Sequence, residues 1–219
     1  MNSSRTLSII GAAAVIGALI FTQLDVTDRN KTIAQQISTE AEKTIEIVSA
    51  GDADMMIYST LEQVEQDADL IVAAELVGER ATKNMVLNSM VIETYGLAKV
   101  KVNHVYKGEV QEGDELTIAE PGYFDGSGKY VSFEGYKLME KDGRYILFLR
   151  TGTNNEQIVI GLYQGKFDLT LPKLEQEMTN ARMSVAEFDQ KDYVGDSVWQ
   201  FNRLKKQVLE KYSTVESYR

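Results

Sequence analysis

The chain has no cysteine, two prolines, one histidine and one tryptophan in 219 residues. Without cysteine there is no disulfide, no zinc–thiolate site, no cysteine nucleophile and no lipid-modified cysteine. A single histidine, His104, rules out paired-histidine metal spacing, and no G-x-S-x-G nucleophile elbow occurs. Long basic runs are missing too. The longest beyond residue 24 is Lys205-Lys206, which excludes the electrostatic footprint of a nucleic-acid binder. Two prolines against 16 glycines, with 43% hydrophobic residues, exclude a proline-rich extended chain. What is present is aromatic mass for a core, with eleven tyrosines and seven phenylalanines.

Charge is scarce at the N-terminus. Arg5 is the only charged side chain before Asp25, and TLSIIGAAAVIGALIFTQL (residues 6–24) has none in 19 residues. As a helix this stretch spans about 28 Å, close to the ~30 Å of bilayer hydrocarbon. It stands behind a short basic start, as a secretory signal does, but lacks an A-x-A cleavage site after Phe21. The expectation is an uncleaved single-pass anchor with a cytoplasmic N-terminus. Residues 25–219 are then extracytoplasmic, and secreted if the segment is cut. That part holds all 33 acidic residues and 22 of the 23 basic ones, a net charge of −11. Such a surface is soluble and repels nucleic acid and anionic lipid.

Residues 25–57 are polar and acidic, and KTIAQQISTEAEKTIEIV reads as a stalk, either a helix or a mobile segment. Ser59-Thr60-Leu61-Glu62 matches a capping box, with Ser59 as the cap and Glu62 reaching back. LIVAAELVG (70–78) reads as a buried strand. From Ala98 the pattern alternates, with Ala98, Val100, Val102 and Tyr106 on one face against Lys99, Lys101 and Asn103. DELTIA (114–119), Tyr130–Leu138, RYILFLR (144–150) and QIVIGLY (157–163) supply further strands, and EKDG (140–143) is a turn. Beyond Pro172 the period becomes helical. Residues 172–183 are helix-compatible, and Ser184-Val185-Ala186-Glu187 is a second capping-box match. SVWQFNRLKKQVLEKY places Val198, Phe201, Leu204 or Lys205, Val208 and Tyr212 on one side of an amphipathic helix. The fold class expected is mainly β with flanking helices. Its centre is a small antiparallel β-barrel over 58–170, and residues 171–219 pack on it as a helical segment.

The succession "DADLIVAAELVG", "AKVKVNHVYKGEV", "GDELTIAEPG" and "DGRYILFL" resembles the netrin-like modules shared by netrins and the tissue inhibitors of metalloproteinases. It also resembles exported proteins of Gram-positive bacteria that carry "VYKG" and "EGY…YILFL". The likeness covers roughly 58–165 and implies an extracytoplasmic barrel of the oligonucleotide/oligosaccharide-binding (OB) type that binds something. Its motifs are core strands and turns, which report fold better than activity. The metalloproteinase inhibitors reach the catalytic zinc with an N-terminal cysteine, and netrin-like modules are usually disulfide-stapled. This chain has no cysteine, so that mechanism does not carry over.

PGYFDGSGKYVSFEGY (121–136) is the stretch richest in apparent motifs. A phosphate-binding loop, G-x-x-x-x-G-K-[ST], would need glycine at Tyr123 and Ser or Thr at Tyr130, so two of four fixed positions fail. An EF-hand register is met further. With Asp125 at position 3, Ser127, Gly128 and Glu134 fall at 5, 6 and 12, but Tyr123 occupies position 1, where the first carboxylate belongs. Asp125, Ser127 and Glu134 are the calcium candidates, and the competing reading is a glycine loop between two strands. Tyr123, Phe124, Tyr130, Phe133 and Tyr136 crowd the same loop. Tyr123, Phe124, Tyr130 and Tyr136 are the candidate binding residues, set against the plainer reading that alternate members fill the core. His104 reads as a structural or surface histidine. No cofactor is expected. The function expected is a membrane-anchored, extracytoplasmic binding module without catalytic activity, its ligand an envelope protein or a glycan. The alternatives are an envelope hydrolase and an inhibitor of an extracellular protease.

Overall fold

The computed structural model describes residues 43–51, 56–152, 155–175 and 181–212. The anchor expected at 6–24 and most of the stalk lie outside them. Among the described residues no helix is long and apolar enough to cross a membrane. The protein is mainly β, as expected, with few helices. The strands are β1 (Thr44–Ser49), β2 (Leu70–Leu87), β3 (Met90–Lys107), β4 (Glu115–Glu120), β5 (Gly122–Phe124), β6 (Tyr130–Ser132), β7 (Arg144–Thr151), β8 (Glu156–Val159), β9 (Lys166–Asp168) and β10 (Arg182–Ser184). The helices are α1 (Leu61–Asp67), α2 (Val185–Asp189) and α3 (Val198–Tyr212), with a 3₁₀ turn at Leu162–Gly165.

The larger sheet runs β2-β3-β4-β8-β7-β9, and β7 pairs back onto β2. Five strands therefore form a partly closed ring. Its closing seam, β4 with β8, is parallel and rests on three register pairs, Thr117↔Glu156, Ile118↔Gln157 and Ala119↔Ile158. The expectation of purely antiparallel pairing is corrected here, and again in the smaller sheet β10-β1-β6-β5, where β1 runs parallel to β6.

The continuous apolar runs in β2 and β7 have a direct cause. Side chains of a strand alternate between its faces, and both faces of these two strands are covered. Leu70, Val72, Ala74 and Leu76, with Tyr145, Leu147 and Leu149, enter the core inside the ring. Ile71, Ala73, Ile146 and Phe148 point the other way, into a second core under the helices. β3 is covered on one face only. Ala98, Val100 and Val102 are buried, while Lys99 and Lys101 are exposed. The alternation read from the sequence thus holds.

α3 buries Val198, Phe201, Leu204, Lys205, Val208 and Tyr212, the face expected from its spacing. Phe201 stacks on Tyr193 with ring centres 5.1 Å apart and on Phe167 at 5.6 Å. Full burial of one such ring is worth about 1.5–3 kcal/mol. α1 starts one residue later than its sequence suggests. Thr60, not Ser59, is the cap: its hydroxyl accepts from Gln63 N at 3.4 Å, and Gln63 Oε1 accepts from Thr60 N at 3.3 Å. The second match is realised by half: Ser184 caps α2, its Oγ accepting from Glu187 N at 3.2 Å.

Four segments differ from expectation. QIVIGLY is a strand only to Val159, and Leu162–Gly165 is a 3₁₀ turn. Thr44–Ser49 is a strand, not the end of a helical stalk. Ile45 and Ile47 pack against the ring core, and a run rich in β-branched residues favours the extended form. Tyr130–Leu138 does not continue as a strand past Ser132. Glu134 and Gly135 take φ of +49° and +75° and turn the chain. The segment after Pro172, read as helix-compatible to 183, includes strand β10, which pairs with β1.

Candidate functional site

The aromatics of 121–136 separate into core and surface. Gly122–Phe124 and Tyr130–Ser132 pair as a hairpin, so the stretch between them is the glycine loop joining two strands. Tyr130 and Tyr136 are fully buried and are corrected from candidate contacts to core residues. The Tyr130 hydroxyl donates to Tyr136 O at 2.6 Å and accepts from Leu138 N at 3.0 Å. Burial, then the Glu120 carboxylate, pushes its pKa well above the usual tyrosine value. Gly122 is required beneath it, because a Cβ there would stand 2.7 Å from the Tyr130 hydroxyl. Tyr136 donates to Glu120 Oε1 at 3.1 Å. Phe124 is 44% exposed and lies against the Tyr130 ring. Tyr123 and Phe133 are half-buried.

The calcium candidates do not assemble. Asp125 Oδ1 accepts from Ser127 N, Ser127 Oγ and Lys129 N within 2.9 Å. The carboxylate closes its own turn, as aspartates in loops commonly do, and the Ser127 hydroxyl is the largest cause of its lowered pKa. Among the described residues no three His, Asp or Glu side chains are grouped to hold a metal ion. His104 lies at the surface, with Nδ1 2.7 Å from Glu112 Oε1 and its ring edge-on to Tyr106.

A different place is built like a binding site. β2 and β3 run past the ring as a two-stranded arm. β7 leaves β2 at Glu75, and β4 leaves β3 at Gly96. Between this arm and the β4–β8 seam lies a cleft of about 130 Å³, lined by Met85, Glu93, Tyr95, Ala119, Glu120, Pro121, Glu156, Ile158, Val159 and Leu162. Its polar groups are held in place. Glu156 accepts from Lys83 Nζ at 2.5 Å and from the Tyr95 hydroxyl at 3.0 Å. Those bonds raise the Lys83 pKa, and burial, then Glu156, raises that of Tyr95. Glu120, with no exposed surface, accepts from Arg80 Nε at 2.8 Å, from Met139 N at 2.8 Å and from Tyr136. Arg80 also donates to Met139 O. These two ion pairs brace the arm against the ring, which leaves the cleft open and its walls fixed. Ile158, 46% exposed, supplies an apolar wall.

A larger cleft of about 450 Å³ opens beside Arg80, Glu140, Asp142, Asp168 and Asp189. Two of its carboxylates are engaged locally. Glu140 pairs with buried Lys137 at 2.5 Å, and Asp168 Oδ1 accepts from Thr170 N and Oγ1. Burial, then Glu140, raises the pKa of Asp189, and burial lowers that of Lys137. The sequence reading did not single out Tyr95, Glu156 or Ile158. Their one local signal was ETYGLA (93–98), where an aromatic precedes the alternating strand. Comparison with known families finds no family model that matches the chain, and comparison with curated proteins finds no significant match.

Proposed function

We propose that the protein is an extracytoplasmic binding module, tethered by residues 6–24, built on an OB-type barrel, and that it takes its ligand in the cleft under the β2–β3 arm. The observation that carries this reading is the cleft itself, a concave, largely apolar surface with a few fixed polar groups, as ligand sites generally are. The barrel reading draws support from the pairing order of the ring. Its five strands, β2, β3, β4, β7 and β8, pair 1-2-3-5-4 and back to 1, with 3 and 5 parallel. OB barrels bind oligomeric ligands across strands 2 and 3, between the loops that follow strands 1 and 4. Here the strands are β3 and β4 and the first loop is the arm. The cleft is lined by the arm, by β4 and by β8.

The net charge of −10 disfavours a nucleic acid in that cleft. Apolar walls favour a side chain of an envelope protein over a glycan, and Glu93 and Glu156 favour a donor or cation beside it. The test is a photo-crosslinking residue at position 158 of the full-length protein in intact cells. One dominant adduct is expected. Met85→Arg should abolish it by filling the cleft, with the thermal midpoint unchanged. Adducts that persist in Met85→Arg would sink the cleft as the site.

A further inference from the structure

The far end of the arm reaches beyond that cleft, with only Met85 at its rim. Met85, Val86, Leu87, Met90, Val91 and Ile92 are all 40–66% exposed, and no charged residue lies between Met85 and Ile92. Soluble proteins rarely leave so contiguous an apolar patch in water. The register Val86↔Val91 and Leu87↔Met90 puts apolar pairs on opposite faces of the ribbon, since adjacent residues of a strand point opposite ways. Asn88 and Ser89, with φ of +51° and +63°, make the tight turn. From Ala81↔Leu97 to Leu87↔Met90 the ribbon extends about 20 Å at ~3.4 Å per residue. It is stiffened at its base by the Arg80–Glu120 and Lys83–Glu156 pairs.

We infer that the arm tip inserts into a lipid surface. A protein groove or a second copy would cover one face of a flat ribbon and leave the apolar residues of the other in water. A bilayer surrounds both. The depth follows from the backbone. The outer edges of the tip strands carry unpaired N–H and C=O groups, which hydrocarbon does not tolerate. Insertion therefore stops at the headgroup–acyl boundary, about 5–10 Å deep. Three residues on each strand, at ~3.4 Å per residue, reach that far. Asn88 and Ser89 lead the insertion, and their polar groups also hold it at that boundary. The driving force is apolar burial, because the protein is net negative. Zwitterionic lipid therefore suffices, and anionic lipid adds nothing.

This inference rests on the tether reading, which brings the domain to a membrane. Nineteen residues lie between Leu24 and Thr44, a reach of at most about 70 Å, so the arm and the tether can engage one bilayer. A chain without cysteine makes the test direct. Full-length Val91→Cys and Lys206→Cys each carry an environment-sensitive fluorophore and are reconstituted into phosphatidylcholine vesicles. Lys206, 60% exposed, serves as a reference on the solvent side of α3. Expected are a blue-shifted emission at 91 and iodide quenching about fivefold weaker than at 206, since the boundary excludes aqueous quencher. Adding Leu87→Asp and Met90→Asp to the Val91→Cys protein should return its quenching to the value at 206. A chain that floats with the vesicles while 91 is as open to iodide as 206 overturns the arm and leaves the tether. A chain that does not float overturns both. Protection at 91 that grows with protein concentration in the absence of vesicles marks a second copy as the occupant and overturns the lipid.

Discussion

Asp192→Asn is the most informative single change to the scaffold. Asp192 has no exposed surface in its side chain, and its two oxygens divide the work. Oδ1 lies 2.6 Å from Lys166 Nζ, and Oδ2 accepts from Lys205 Nζ at 3.0 Å and from Asp168 N at 2.8 Å. Both lysines are buried, one on β9 and one on α3, so a single carboxylate joins the helix to the sheet. The amide keeps the shape and removes the charge, leaving two buried ammonium groups without their counter-ion. Breaking a buried pair in this way costs about 3–5 kcal/mol. For the unit Glu40–Arg219 that is a fall in Tm of about 6–20 °C. Urea unfolding followed by circular dichroism at pH 7 measures it. Lys205→Met in the same chain removes one stranded charge and should recover about 1–2 kcal/mol of the loss. The pH dependence is a second check. Burial pushes the Asp192 pKa up, but Lys166 and Lys205 outweigh it and the net shift is down. A carboxylate with a depressed folded pKa contributes stability above its unfolded value, about pH 4, and loses it as pH falls through the folded value. The gap between wild type and Asp192→Asn should therefore narrow below pH 4. A loss under about 1 kcal/mol, or a gap that stays constant in acid, would refute the reasoning.

Two further perturbations separate core from surface. Tyr136→Phe removes a donor from buried Glu120 and should cost about 1–3 kcal/mol, whereas Phe124→Ala, at a half-exposed ring, should cost about 1 kcal/mol or less. A reversed order in urea unfolding contradicts the division of the loop aromatics. Gly135→Ala would set a Cβ 2.4 Å from Gly195 Cα at a φ of +75°. A loss of about 2–4 kcal/mol is expected, with faster hydrogen exchange at Val194 N, which donates to Gly135 O at 2.8 Å. Unchanged exchange there would mean that the Gly135–Gly195 contact does not hold this turn.

The parts legible in the sequence were those in which one local pattern decides the outcome. Ala98, Val100 and Val102 alternate with lysines because only one face of β3 is covered. Val198 through Tyr212 repeat at helical spacing because one stripe of α3 meets the sheet. Where tertiary partners decide, local pattern misled. TIEIV could close a polar helix or form a strand, and only β6 and β10, distant in sequence, select the strand. The tyrosines of 121–136 look alike in sequence. What separates Tyr136 from Tyr123 is a carboxylate at position 120, which accepts the Tyr136 hydroxyl and makes burial tolerable. The cleft was illegible for the same reason. Tyr95 and Glu156 lie 61 residues apart, and their meeting depends on ring closure, which no short window of sequence encodes.

The two sides of the ring are finished differently, and that difference bears on function. On the helix side, Phe148, Phe167, Phe201 and the Lys166–Asp192–Lys205 cluster seal the sheet, and every polar atom of that cluster has a partner in its own chain. On the arm side, comparable ion pairs, Arg80–Glu120 and Lys83–Glu156, hold a two-stranded projection away from the ring. A projection costs conformational entropy and exposes apolar surface, so a fold that needed only stability would do better without it. The bracing matters because a flexible arm would close the cleft or bury its own tip. Held open, the arm keeps Ile158 accessible on one side and carries Leu87, Met90 and Val91 into the surroundings on the other. Two charged pairs at the base of the arm thus stabilise exposure instead of burial, and they support the proposed binding cleft.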